Sequence, residues 1–258
     1  MFEGHKKRSL LRRGVKLFDQ KSYDESINFF DKCLDLDPYY VEALHMKAAA
    51  LTSMGKPEEG MECFDQILEI DPKNAGAWYG KGLINQNLGK YEEAVESYDE
   101  SLESKHNDFK TLVNKSVALG YLKRYQEELK CLDQALKIEQ HSKLWVNKGA
   151  VLVELGNPQD ALKCYDKSLK INQNDPIAWK TRGVALVKLK RYDESLESFE
   201  KALALNPEYV MAWYDKGLTF LLLENNKEAL NCFEEALKID PDFEPAKKDK
   251  EEILASES

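Results

Sequence analysis

Residues 210–243 read VMAWYDKGLTFLLLENNKEALNCFEEALKIDPDF, and this stretch of 34 residues decides the fold. The stretch before it, 176–209, reads PIAWKTRGVALVKLKRYDESLESFEKALALNPEY and has Trp, Gly and Pro at the same places. In both stretches apolar residues recur at intervals of three and four on either side of a central turn, which predicts two amphipathic helices per stretch. Related segments at a fixed spacing of this length predict stacked helical repeats rather than one globular core.

The same pattern extends over most of the 258 residues, and only the fourth copy is shorter, at 33 residues. We number the places of each repeat from its first residue, so that four tryptophans stand at place four. The predicted repeats are 7–40, 41–74, 75–108, 109–141, 142–175, 176–209 and 210–243.

Places eight and 24 of the repeat differ in size in a way that predicts close helix packing. Place eight is small in every copy, and place 24 is Phe, Tyr or Leu. Two antiparallel helices approach closely only where side chains are small, so we expect the large side chain at place 24 to fill the space beside place eight. The residues at place eight are Gly14, Ala48, Gly82, Ser116, Gly149, Gly183 and Gly217.

Helix ends are also indicated by the sequence. Gly55, Gly89 and Gly156 follow first helices, where a left-handed residue commonly ends a helix. Capping-box spacing before the second helices predicts side-chain caps. The spaced pairs are Ser22 with Glu25, Asn157 with Asp160 and Asn225 with Glu228.

The run from Ala212 to Gly217, followed by Ala229, Phe233, Ala236 and Pro241, resembles the tetratricopeptide repeat, and the resemblance covers residues 7–243. It implies an all-α fold, a right-handed α-solenoid (superhelix) of seven helix-turn-helix units. In that family the first helices line a concave groove where peptides or partner proteins usually bind. Residues 1–6 are expected to be a tail, and 244–258 a solvating, capping helix with Ile253 and Leu254 as its apolar anchors.

The family's geometry implies that places two, five, six, nine, twelve and thirteen of each first helix face the groove. Their apolar character favours capture of an apolar peptide segment. The alternative is that neighbouring repeats or a second copy of the protein cover these side chains. Asn114 and Asn147, both at place six, and Lys180 are expected to orient a bound chain. The predicted binding residues are Tyr79, Val113, Asn114, Val117, Val146, Asn147, Val153, Lys180, Tyr214 and Leu218.

Charge is spread unevenly over this acidic chain. The net charge is −9, but residues 1–16 have six basic side chains and one acid, leaving −14 for the remainder. An acidic body disfavours direct binding of nucleic acid, which needs a basic surface. The basic head and the acidic end, −4 from residue 240 onward, suggest weak head-to-tail self-association.

The compartment is predicted from three absences in the sequence. The sequence has no run of 18 apolar residues, so it predicts no membrane span. Its first residues have no apolar signal core. The five cysteines show no CxxC spacing and are expected to be packing residues in a reducing cell. We therefore expect a cytoplasmic protein without membrane contact.

The fourth repeat departs most from the pattern. Glu128 stands at place 20, which is small in the other copies, and a buried carboxylate without a partner is costly. A hinge or a widened groove is one interpretation, and a tolerated irregularity is the other.

The sequence contains no catalytic motif. Its four histidines are dispersed, and Gly80-Lys81-Gly82 lies within a helical pattern without the third glycine of a nucleotide fingerprint. We therefore predict a scaffold or adaptor protein, with no enzyme activity, cofactor or metal, that binds a protein or peptide. The alternatives are a self-associating structural protein and a regulatory subunit of a larger enzyme or nucleic-acid complex.

Overall fold

The computed structural model describes residues 2–256, which form fifteen α-helices and no strand. The helices are α1 (Phe2–Asp19), α2 (Tyr23–Leu36), α3 (Val41–Ser53), α4 (Pro57–Ile70), α5 (Ala75–Asn87), α6 (Tyr91–Ser104), α7 (Phe109–Tyr121), α8 (Tyr125–Ile138), α9 (Ser142–Glu154), α10 (Pro158–Ile171), α11 (Pro176–Lys188), α12 (Tyr192–Leu205), α13 (Val210–Leu222), α14 (Asn226–Ile239) and α15 (Glu244–Ser256).

The all-α prediction of seven helix-turn-helix units and a final helix is confirmed. Each odd-numbered helix up to α13 is the first helix of a repeat, and the even-numbered helix after it is the second. Helix α1 already begins at Phe2, so it includes residues 2–6, which the sequence predicted to be a tail. Those residues contain no proline, so nothing in them prevents the helix from starting early.

The described chain divides within α8 into two compact units, residues 1–131 and 132–258. Each unit has its own packed core of second-helix and first-helix side chains. In the first unit, Ala94, Val95 and Tyr98 of α6 pack with Ala118 and Leu119 of α7. In the second unit, Ala229, Phe233 and Ala236 of α14 pack with Ala246 and Ile253 of α15.

The predicted contact between places eight and 24 is present in the five repeats that have glycine at place eight. A Cβ atom added at Gly14, Gly149 or Gly217 would lie 2.5 Å from the ring at place 24 of the same repeat, and at Gly183 the distance would be 2.6 Å. Real Cβ atoms do not approach so closely, so these positions admit only glycine. The rings concerned are Phe30, Tyr165, Phe233 and Phe199, and all are buried.

In the second repeat, the ring at place 24 packs against a different position. Its place eight is Ala48, and its ring at place 24, Phe64, lies against Gly80 of the following repeat. A Cβ atom at Gly80 would overlap the Phe64 ring. The extra methyl group at place eight is therefore accommodated by glycine at place six of the next repeat.

The turns within repeats contain left-handed residues, as the sequence predicts. Gly55, Gly89 and Gly156 have φ between +74° and +77°. The other described turns of this kind place a side chain in the same region, at a steric cost that glycine avoids. Those residues are Lys21, Lys123, Lys190 and Glu224.

The prediction of side-chain caps before second helices was wrong for two of its three pairs. Asn225 accepts a bond from the Glu228 N–H at 3.4 Å, but the side chains of Ser22 and Asn157 make no cap bond. Ser22 and Asn157 have ψ of 67° and 60°, Asn225 with its long bond has 74°, and the residues that cap first helices have 98° to 109°, so the caps improve as the backbone becomes more extended. The better-formed caps precede first helices, at Asn74, Asp108 and Asp175.

Helix α15 packs as a first helix would, because its Lys250 pairs with Glu234 of α14 at 2.8 Å. Ile253 is 6% exposed and anchors the helix, whereas Leu254 is 49% exposed and does not. Place eight of this helix is Glu251, which is exposed, so its outer face is suited to solvent. None of the helices described is long and apolar enough to cross a membrane.

Candidate functional site

The candidate site is formed by the inner positions, which we define as places two, five, six, nine, twelve and thirteen of the first helices. Hydrogen bonds show that places five and six of successive first helices are neighbours. In the first unit the Asn114 amide donates to the Tyr79 hydroxyl at 2.9 Å. Burial raises the pKa of Tyr79, so the phenol keeps its proton to a higher pH than usual. Asn114 is therefore already engaged by its own chain.

Lys180 and Asp215 form the corresponding contact in the second unit. The Lys180 Nζ lies 2.9 Å from Asp215 Oδ2, and both side chains are only 17% exposed. Burial raises the pKa of Asp215 although Lys180 opposes the shift. Lys180 is thus not a free cation available to a ligand.

Tyr214 makes a third contact of this kind, with the capping helix. Its hydroxyl donates to Asp249 Oδ2 at 2.8 Å, and its ring meets the Phe243 ring edge-on at 5.2 Å. Burial, with Asp249 as a second cause, raises the pKa of Tyr214 to about 12. Helix α15 therefore covers part of the inner position that Tyr214 was predicted to offer to a ligand.

The predicted apolar residues differ in how much surface they present. Val113 and Val117 of α7 are half-buried, as are Val153 of α9 and Leu218 of α13. Val146 is buried and belongs to the packing of α9 rather than to an open surface. Val113 and Val117 thus present part of their surface in the first unit, and Val153 and Leu218 do so in the second.

In the second unit, three further apolar side chains at inner positions are exposed, and the sequence pattern did not single them out. Ile177 and Met211, both at place two, are 53% and 40% exposed, and Leu222 at place thirteen is 55% exposed. They lie on α11 and α13, whose places nine and twelve are also apolar. Asn147 on α9 is exposed, and none of the described residues bonds its amide. In the second unit, Ile177, Met211 and Leu222 thus form what we call the apolar row, and the unbonded amide of Asn147 lies on α9 of the same unit.

From α3 onward, the side of each first helix away from the inner positions carries an ion pair with the preceding second helix. Place seven pairs with the acid at place 25 of the preceding second helix, for example Lys81 with Asp65 at 2.6 Å. The sequence analysis missed this series, although comparing places seven and 25 along the repeats would have revealed it. The other pairs are Lys47–Asp31, Lys115–Asp99, Lys148–Asp133, Arg182–Asp166, Lys216–Glu200 and Lys250–Glu234.

The place-four tryptophans hold the connections between repeats. The indole N–H groups of Trp78, Trp179 and Trp213 donate to backbone carbonyls six residues earlier, at 2.8 to 3.0 Å. Trp145 donates instead to the Gln140 side chain at 3.0 Å. The tryptophans are therefore structural and stand outside the inner positions.

Glu128 is half-buried, and burial raises the pKa of its carboxyl to about 7. Its oxygens lie 3.2 Å from the point where a Cβ atom of Gly120 would be. Place twelve is larger in every other repeat, so glycine here makes room for the carboxylate. The irregularity at place 20 is thus matched by a second one at place twelve.

The cysteines are all free and buried, and burial raises the pKa of the Cys63 thiol to about 11. Thiols in this state are poor nucleophiles. Among residues 2–256 no group of three His, Cys, Asp or Glu side chains is arranged to hold a metal ion.

Two family models match the chain, and both describe the tetratricopeptide repeat. A model of the tetratricopeptide repeat matches residues 75–108, 142–175, 176–209 and 210–243. A second tetratricopeptide repeat model matches residues 17–84. No curated protein matches the sequence.

Several solved structures have a similar fold. YrrB, described as a TPR protein with an unusual peptide-binding site, is 25% identical over 74% of this chain and 99% of its own, with a TM-score of 0.61. The C-terminal part of a TPR repeat-containing protein from Cytophaga hutchinsonii is 13% identical over 92% of this chain and 98% of its own, with a TM-score of 0.76. A tetratricopeptide repeat protein from Parabacteroides merdae is 14% identical over 96% and 98%, with a TM-score of 0.65. The last two identities show the fold alone.

Proposed function

This chain belongs to the tetratricopeptide repeat family, and we propose that it is a non-enzymatic scaffold whose inner positions bind a segment of a partner protein. Proteins of this family generally bind peptides or other proteins. YrrB is described as having a peptide-binding site, which supports a peptide-like ligand here as well.

The observation that carries the proposal is the apolar row on α11 and α13. Ile177, Met211 and Leu222 expose between 40% and 55% of their surface, although they lie on helices whose other faces are packed. Apolar side chains exposed together commonly mark an interaction site. A partner segment with apolar anchors would remove this row from water, with a gain of roughly 25 cal/mol for each Å² buried.

Polar groups beside the row would set the direction of the bound segment. Asn147 has an unused amide, which can both donate to and accept from a peptide backbone. Asn114 and Lys180 support such a ligand less directly, because each already contacts a neighbouring first helix. Tyr79 accepts the Asn114 bond, and Tyr214 makes a separate one with Asp249. The half-buried Val113 and Val117 belong to the inner positions of the first unit, and Val153 and Leu218 to those of the second.

Charge and cysteine chemistry support a protein ligand in a reducing compartment. The net charge of −9 repels nucleic-acid phosphates over most of the surface. The five cysteines are unpaired, which suits the cytoplasm.

Affinity capture with matched variants tests the proposal. Ile177→Glu/Met211→Glu places two charges in the apolar row, and we expect it to lose, at least about tenfold, a partner that the unaltered protein retains from a lysate of its source cells. Ile171→Glu/Leu205→Glu is the control, because those side chains are 50% and 41% exposed but belong to second helices of the same unit. Equal retention by both variants would contradict binding at the inner positions.

A further inference from the structure

The first helix presents a basic face that no other described element covers. Arg8, Arg12, Arg13 and Lys16 are all exposed and recur at helical spacing along one side of α1. None of the four forms an ion pair with a described residue, whereas Lys7 on the adjacent side is bound by Asp37. Four neighbouring cations without partners repel one another, so this face favours an acidic surface.

The position of Arg13 indicates which kind of acidic surface would fit against α1. It stands at place seven, where the seven later first helices, α15 included, each pair with a carboxylate from a second helix. Among the place-seven cations described, only Arg13 has no such carboxylate. An acidic helix lying beside α1 would supply the contact that the other repeats make within the chain.

The same chain has helices of the required kind. Helices α4 and α6 contain five and six acidic residues and no basic residue, whereas every other second helix has at least one lysine. Only Glu59, Asp65 and Asp99 among these acids form ion pairs. The acids left without a basic partner are exposed, and they are Glu58, Glu62, Glu69, Glu92, Glu93, Glu96, Glu100 and Glu103.

We propose that the basic face of α1 in one copy docks on the acidic faces of α4 and α6 in a second copy. The ion pairs of the chain join neither surface to the other, so both remain open for contact between molecules. Because each copy offers one surface of each kind, two copies can pair reciprocally through both contacts, or copies can link head to tail into larger assemblies. Arg8 and Arg12 stand at places two and six, so on α1 the docking face overlaps the inner positions, whereas the apolar row lies on α11 and α13.

Light scattering after size-exclusion chromatography measures the association at salt concentrations of ~0.02 M and ~0.5 M. The unaltered protein is expected to increase in mean mass with protein concentration at low salt, and to be monomeric at high salt. Arg13→Glu/Lys16→Glu on α1, at places outside the inner positions, and Glu62→Lys/Glu96→Lys on the acidic faces should each weaken association at least about tenfold. The control Lys137→Glu/Lys170→Glu changes the net charge as much as the α1 variant but should associate normally.

Mixing the two charge-reversed variants provides the decisive result. Each then offers a surface complementary to one on the other, so a mixed assembly is expected although neither variant associates alone. A monomeric unaltered protein at low salt, or no assembly on mixing, would overturn the proposal. Binding of a monomeric protein to phosphatidylserine vesicles through α1 would also overturn it and assign the basic face to a lipid surface.

Discussion

At the scale of single residues, Glu128 and Gly120 show how one unfavourable substitution is tolerated. A carboxylate at a position of close helix contact loses hydration, which is why its pKa is raised to about 7. Glycine at place twelve leaves room for the larger side chain and access to water. Gly120 therefore relieves the steric conflict, but the cost of partly burying the Glu128 carboxylate remains.

Replacing Glu128 should stabilise the protein in a pH-dependent way. The folded-state pKa lies above the ordinary value of 4.5, so the folded state binds the proton more tightly. Stability is therefore lost as the pH rises from 4.5 to about 7, by up to ~1.4 kcal/mol per pH unit. Chemical unfolding at pH 5 and pH 8 should show that Glu128→Ala and Glu128→Gln gain more at pH 8. A clear loss of stability in both variants would mean that Glu128 is paired and structural.

At the scale of elements, the turns between paired helices repeat one backbone conformation with different residues. Three of the described turns use glycine at positive φ, and four use lysine or glutamate. A side chain in this region is disfavoured, while glycine gains freedom in the unfolded state, so the two effects partly offset each other.

Lys190→Gly should stabilise the second unit by about 0.5–1 kcal/mol, because φ is +58° at this position. The reverse change, Gly156→Lys, should destabilise it by a similar amount, since φ there is +77° and nothing lies within 4 Å of an added Cβ atom. Urea unfolding of the two variants compares the effects directly. Equal stability of both would show that the conformation does not decide the energy of these turns.

The capping helix also offers a comparison between neighbouring residues. Ile253 is buried against α14, and Leu254 points largely to solvent. Ile253→Ala should therefore cost about 2–4 kcal/mol, whereas Leu254→Ala should cost well under ~1 kcal/mol. Hydrogen exchange of α15 and thermal unfolding check this difference. Matching losses would show that α15 does not dock through Ile253.

At the scale of the whole molecule, the period of the sequence was enough to predict the helix pairs and their tightest contacts. Gly149 and Tyr165 are such a contact, because a position that excludes a Cβ atom can hold only a small residue in every copy. The contacts between repeats were harder to predict. The bond from Asn114 to Tyr79 depends on two side chains 35 residues apart, so Asn114 considered alone suggested a ligand contact.

The exposure of individual side chains in the candidate site was also hard to predict, because it depends on the neighbouring repeats. Val146 and Val153 lie on one helix and have the same chemistry, yet one is buried and the other is half-buried. Ile177 and Met211 read as ordinary apolar repeat residues, and only the packing around α11 and α13 shows that they are open. The helical period places a residue on a face, but the neighbouring repeats decide whether that face is covered.

Site-specific photo-cross-linking tests the central claim, which is that a partner segment lies along the inner positions. A photoreactive amino acid would replace Val184, an inner residue of α11 at place nine, or Leu205, an exposed residue of α12. A captured partner is expected to become covalently attached at position 184 and not at position 205. Attachment at position 205 alone would contradict it and place the partner on the second helices.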